Sequence, residues 1–337
     1  MRISTPVLSS PVFKSRWAAL ALFLVLPFAT LAARAQGLSY DGPVGILATP
    51  LAYTLASPAN GPGKPTVGFH ILVGGPRVGN NSAFSVTEGL YKRFEVGFTD
   101  NVHSGSNTVN VVRPNGTEAI FSPAAWKSGF SIVHAKANVI PENSFGSKLI
   151  PAVSVGGIYR FNDNIGPNLN SFAASTLHLT ELEQKANNFD IYVVASKTIT
   201  QISKKVPVLL TAGVRGTNSV LWGLGGNSPG FEGKVFGSAA FVLTGPGKST
   251  IILGSEVSEQ PQHILVASAP HAALFDIPTS EVYAVRFVPG PKSKLNVDAG
   301  VVHAGGWIGN KATESLLGGN TNLDIRARLA LAVGYAF

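Results

Sequence analysis

The sequence has no cysteine, which excludes a disulfide scaffold and thiolate metal sites. Charged side chains are also scarce, at 13% of residues, and Lys and Arg nowhere cluster into the runs that bind nucleic acid. Beyond the amino terminus no stretch approaches the ~18 consecutive apolar residues of a spanning helix. The marks of common catalytic sites are missing as well. The seven histidines, His70, His103, His134, His178, His263, His271 and His303, form no His-Glu-x-x-His pair. There is no Gly-x-Ser-x-Gly elbow. Gly74-Gly75-Pro76 lacks the lysine and helix of a phosphate loop. Ser131 and His134 fall on opposite faces of a strand, and His178 with Glu181 and Glu183 reads as a solvated loop. No enzyme, cofactor or metal is expected.

What is present is alternation. In Asn322–Phe337, Leu323, Ile325, Ala327, Leu329, Leu331, Val333, Tyr335 and Phe337 form one face. Asn322, Asp324, Arg326 and Arg328, then small residues, form the other. Strand side chains alternate faces, so one side is apolar throughout. With the terminal Tyr-x-Phe, this reads as the closing strand of a bacterial outer-membrane barrel, the strand an assembly machinery would engage.

The amino terminus is consistent with that destination. Arg2, Lys14 and Arg16 precede an apolar run, Trp17 to Ala33, broken by Pro27 and followed by Ala33-Arg34-Ala35. This is the pattern of a secretory signal peptide cleaved near Ala35. Taking the four cations of residues 1–35 from the net charge of +8 leaves the mature chain at +4.

Twelve alternating segments are expected near 66–74, 83–90, 94–102, 129–139, 150–161, 188–198, 206–216, 234–243, 249–258, 280–289, 293–304 and 322–337. Short connections such as Tyr91-Lys92-Arg93, Thr244–Lys248 and Gly290-Pro291-Lys292 alternate with long ones at 103–128, 162–187, 217–233, 259–279 and 305–321. That rhythm predicts an all-β antiparallel transmembrane barrel with short periplasmic turns and long extracellular loops. The expected organisation is a signal peptide (1–35), a periplasmic lead-in or small plug (36–65) and the barrel (66–337). Five prolines between Pro43 and Pro65 argue against a central strand in the lead-in, which is expected to enter the lumen in part.

Apolar sets must face lipid, since a charge at the bilayer midplane costs roughly 2–4 kcal/mol. The opposite sets then line the lumen: Glu95, His134, Lys136, Arg160, Asp190, Arg215, Glu256, Arg286, Asp298, Asp324, Arg326 and Arg328. These residues either pair with one another or form a selective constriction. Phe94, Phe98, Tyr283, Phe287, Tyr335 and Phe337 are candidates for the aromatic girdles.

Four motifs add a resemblance: Glu88-Gly89-Leu90-Tyr91-Lys92-Arg93-Phe94-Glu95-Val96-Gly97, Lys148–Gly157, Gly223-Leu224-Gly225-Gly226 and Gly254–Pro261. In this order they resemble a bacterial outer-membrane barrel family catalogued as a domain of unknown function (DUF3034-like). That likeness implies a location and a fold but no reaction. Gly42–Ala52 is similar to the opening of YjbH-type outer-membrane proteins linked to exopolysaccharide secretion. The leading reading is a porin-like solute channel in contact with outer-membrane lipid. The alternatives are a structural or export-accessory barrel for surface polysaccharide, or a lipid-acting enzyme. Cargo, whether a small solute or a polysaccharide, is left open.

Overall fold

The computed structural model describes residues 37–74, 80–104, 109–112, 118–121, 129–161, 187–200, 206–223, 227–261, 263–264, 274–275, 279–304 and 327–337. Twelve strands close into one antiparallel barrel. They are β1 (Thr66–Val73), β2 (Asn80–Leu90), β3 (Phe94–Ser104), β4 (Phe130–Ile140), β5 (Ala152–Phe161) and β6 (Asn187–Ile199), followed by β7 (Val208–Ser219), β8 (Asn227–Thr244), β9 (Thr250–Ser258), β10 (Ser280–Val288), β11 (Leu295–Ala304) and β12 (Arg328–Ala336). Each strand pairs with its neighbours in sequence. The ring shuts between β12 and β1, from Ala330 opposite Leu72 to Ala336 opposite Thr66. Closure leaves no sheet edge, the condition for strands to stand in hydrocarbon. Among the described residues no helix is long and apolar enough to cross a membrane.

The outer wall is apolar because every second residue points outward. Tyr283, Val285 and Phe287 of β10 are exposed, while Val282, Ala284 and Arg286 between them are buried. On β12, Leu329, Leu331, Val333 and Tyr335 are exposed, and Ala330 and Ala332 are buried. Phe69, Phe84, Phe98, Val133, Ile191, Val214, Phe241 and Leu253 continue the belt around the ring. A band of this extent is untenable in water and suits a bilayer. All six proposed girdle aromatics are on it. Phe94, Phe287, Tyr335 and Phe337 sit at the short-turn end, whereas Phe98 lies mid-strand and Tyr283 nearer the loop end.

The short turns use backbone conformations that reverse the chain tightly. Tyr91 and Lys92 both adopt positive φ (52° and 61°), and the Arg93 N–H donates to the Leu90 carbonyl at 3.1 Å. This two-residue turn matches the right-handed twist of β2 and β3 without a glycine.

One connection differs from the sequence expectation. The 217–233 segment is not a long loop: β7 runs on to Ser219 and β8 begins at Asn227, giving an 18-residue strand. Pro229, Gly230 and Gly233 give no strand signal there; Glu232 and Gly233 are paired with Thr217 and Gly216 of β7, and Asn227 with Ser219. A bulge between Thr217 and Ser219 absorbs the irregularity. The last strand, expected over 322–337, runs through Arg328–Ala336 within the described residues. Asp324 and Arg326, His178 and the Glu181–Glu183 cluster lie outside the described residues.

A charge placed on the outer belt should be costly. Val285→Arg, central on β10, is expected to lower the stability of the barrel refolded in lipid vesicles by roughly 2–4 kcal/mol, read from urea titration. An unchanged midpoint would show that this face does not meet hydrocarbon.

Candidate functional site: a plugged interior

Strands spaced ~4.8 Å apart and tilted by about 40° make a twelve-membered cylinder roughly 24 Å across at the backbone. That interior is occupied by the chain itself. Leu38 to Ala52 run through it almost wholly buried. The segment opens with a small hairpin in which Gly37 and Leu38 face Gly45 and Val44. Its tight turn needs Gly42, whose φ of +104° few other residues adopt. A Cβ there would also lie 2.5 Å from the Thr99 hydroxyl. Further on, residues 61–63 pair with the short-turn end of β2: the Gly63 N–H donates to the Gly89 carbonyl, and the Tyr91 N–H to the Gly61 carbonyl.

An irregular backbone at membrane depth must find partners for its N–H and C=O groups, and here the inner wall provides them. The Glu256 carboxylate accepts three consecutive amides, from Leu47, Ala48 and Thr49. This is a nest of N–H groups wrapped around an anion. Glu95 accepts from the Val44 amide and from the Leu55 amide, each at 3.0 Å. Its countercharge is Lys136 at 3.0 Å, whose ammonium also donates to the Leu51 carbonyl at 3.2 Å. Arg286 forms a two-pronged pair with Asp298 (2.8 and 2.7 Å) and donates to the carbonyls of Gly45 and Ile46. Asn138 and Ser154 both donate to the Ala52 carbonyl, and Ser196 accepts from its amide. Thr87 and Thr99 bind the carbonyls of Gly42 and Asp41, and His70 contacts that of Leu38.

One contact joins side chain to side chain through charge. Arg160 directs Nε and Nη2 at the two oxygens of Asp41, with Nε 3.2 Å from Oδ1. The same guanidinium donates to Asp190 and Asn188, each at 3.0 Å. Arg215 stands 3.9 Å from Asp190. The β7–β8 turn folds over this cluster with Val220 and Trp222 buried, and a side chain at Gly223 would meet the Arg160 stem at 3.1 Å.

The interior is not polar throughout. Phe130, Ile132, Ala152, Ile158, Tyr192, Val194 and Phe236 point inward and pack as one cluster around Ala52, with Tyr53 against it. These residues occupy inward positions that alternation alone marks for polar side chains. They are apolar because they meet the plug rather than water. A cavity of about 10 Å³ remains between Asp41, Ala48, Thr49, Tyr192, Arg215 and Phe236, room for one water molecule.

Of the residues expected to line the lumen, Glu95, His134, Lys136, Arg160, Asp190, Arg215, Glu256, Arg286 and Asp298 are buried inside the ring, and Arg328 is half-buried at the start of β12. Most engage the plug or hold a residue that does. His134 lies between Gly42 and Gly97, 3.9 Å from the Glu95 carboxylate. Sequence reasoning missed Asp41, Thr87, Thr99, Asn138, Ser154 and Ser196, all of which grip or belong to the plug. Asp41 alone left a signal, as the one charged residue between Arg34 and Lys64. Among the described residues no three His, Cys, Asp or Glu gather as a metal site.

Together these features define a membrane-spanning β-barrel whose bore is filled by its own amino-terminal segment. No sequence-family profile and no curated protein sequence matches the chain. Among solved structures it is similar to the KdgM porin, at 10% identity over 81% of this chain and 99% of that one, with a TM-score of 0.41. It is similar to the NanC porin at 10% identity over 81% and 98%, with a TM-score of 0.41. A more distant likeness, at 8% identity over 81% and 84% and a TM-score of 0.29, is to Wzi of Escherichia coli, described as a carbohydrate-binding β-barrel involved in group 1 capsule assembly. The fold itself stands on the chain's own strand ladder.

Glu256 is the plug's strongest backbone anchor, so Glu256→Gln should loosen it. Loss of the charge is expected to cost about 1–3 kcal/mol locally. Hydrogen exchange at the Leu47–Thr49 amides should then rise by roughly tenfold or more while the barrel ladder keeps its protection.

Proposed function

We propose that this protein is a porin-like channel of the bacterial outer membrane, delivered by a signal peptide cleaved near Ala35 and held closed at rest by residues 37–55. The observation that carries this reading is the division of labour inside the ring. The barrel closes through β1 and β12 without help from the plug, and the plug fills the bore through side-chain contacts to the wall. Take the plug away and a bore with ionisable side chains on its wall remains: Glu95–Lys136 and Arg286–Asp298 as self-contained pairs, with Glu256, Arg160, Asp190 and Arg215 between them. Paired charges in a narrow bore admit small polar solutes and hinder apolar ones.

A second reading has its footing in the same segment. Gly42–Ala52, similar to the opening of YjbH-type proteins, is the heart of the plug. In an export-accessory barrel the plug would be a permanent filling rather than a gate.

Planar-bilayer recording separates the two. The mature full-length chain should show rare openings, and a chain lacking residues 37–55 should show long-lived, uniform current steps, both on protein that retains heat-modifiable gel mobility. A folded deletion variant that stays silent would refute the channel reading and favour the accessory one.

A further inference from the structure

The buried plug, residues 37–55, carries a single ionisable acid, Asp41, and places it on Arg160. Its other wall contacts are made through backbone groups, uncharged polar side chains or apolar packing. The arginine cluster needs that acid. Arg160 and Arg215 bring two positive charges, and Asp190 supplies one negative charge to both. With Asp41 seated the group is neutral; without it the group carries one unmet positive charge in a confined space. Its geometry suits a carboxylate, because a guanidinium fork bonds two oxygens of one planar group. The one-water cavity adjoins Asp41. Arg215 is buried and lines that cavity, its Nε without a hydrogen-bond partner, and the Tyr192 hydroxyl beside it is likewise unpartnered. The cluster lies at the loop end of the bore, beneath the β7–β8 turn.

We infer that Arg160 and Arg215 form a carboxylate-binding site for solutes entering from the loop side, and that Asp41 of the plug occupies it as an internal substitute. A carboxylate-bearing solute then competes with Asp41 and favours release of the plug, coupling solute capture to opening. Coupling of this kind is reciprocal: whatever loosens Asp41 must tighten solute binding. The inference rests on the channel reading above for its physiological meaning, but the binding site can be tested without any current.

The test uses the mature full-length chain in detergent, read by the temperature at which the heat-modifiable folded band is lost. The probe is sodium glucuronate, with glucose and with sodium chloride of equal ionic strength as counterparts. Asp41→Asn is expected to lower that temperature. Glucuronate should raise it again by returning to the fork the carboxylate that Asp41→Asn removes, whereas glucose and chloride should not. Adding Arg160→Gln to Asp41→Asn should abolish the glucuronate response. An Asp41→Asn chain that responds to glucuronate no more than to chloride overturns the proposal. If Asp41→Asn does not fold, the wild-type chain answers in planar bilayers. There glucuronate should raise the frequency of openings roughly tenfold over chloride, and equal frequencies overturn the proposal. A chain silent in every form but stabilised by glucuronate after Asp41→Asn would sink the channel reading and leave the binding site standing.

Discussion

An irregular peptide segment inside a membrane barrel has no water to satisfy its amides and carbonyls, and this constraint organises the rest of the molecule. Each unmet backbone group would cost on the order of 1–3 kcal/mol. The wall meets the demand with side chains of matched polarity: carboxylates and the Ser196 hydroxyl where the plug presents amides, and ammonium, guanidinium, hydroxyl and amide groups where it presents carbonyls. Glu256 on Leu47–Thr49 is the densest case. Arg286 on Gly45 and Ile46 is its mirror image.

The same constraint explains why the inner wall mixes charge with hydrocarbon. Buried ion pairs are poor stabilisers by themselves, since desolvation offsets most of the Coulomb gain. Here Glu95–Lys136 and Arg286–Asp298 gain further bonds to the plug, so their remaining donors and acceptors are used. The apolar cluster around Ala52 adds non-directional burial on one side of the bore, between β4, β5, β6 and β8. Directional bonds set the register of the plug and apolar contact holds it in place.

Two solvents act on the two sides of one ladder. Outside, lipid requires apolar side chains at every second position and tolerates little else. Inside, the requirement is set by whatever fills the bore. The outer face is therefore a property of each strand separately, whereas the inner face is a property of the strand and the plug together. Asp41 shows this most clearly, because a single acid in the lead-in has meaning only once Arg160, 119 positions away, is beside it.

The sequence by itself determined the outer half of this protein. Period-two alternation and the short turns mark where strands lie and which face meets lipid, because a strand carries that information locally. It also marked most inward charges, from Glu95 to Asp298, since their neighbours on the lipid face are apolar. Only the tertiary structure decided what those charges do. Whether Glu256 lines water or clasps three amides depends on a segment some two hundred residues away. Ile132, Val194 and Phe236 face inward beside polar neighbours because the plug covers them, and no local pattern encodes a cover supplied from elsewhere. The start of β8 was hidden for a similar reason: Glu232 and Gly233 are poor strand formers drawn into the sheet by pairing with Thr217 and Gly216 of β7.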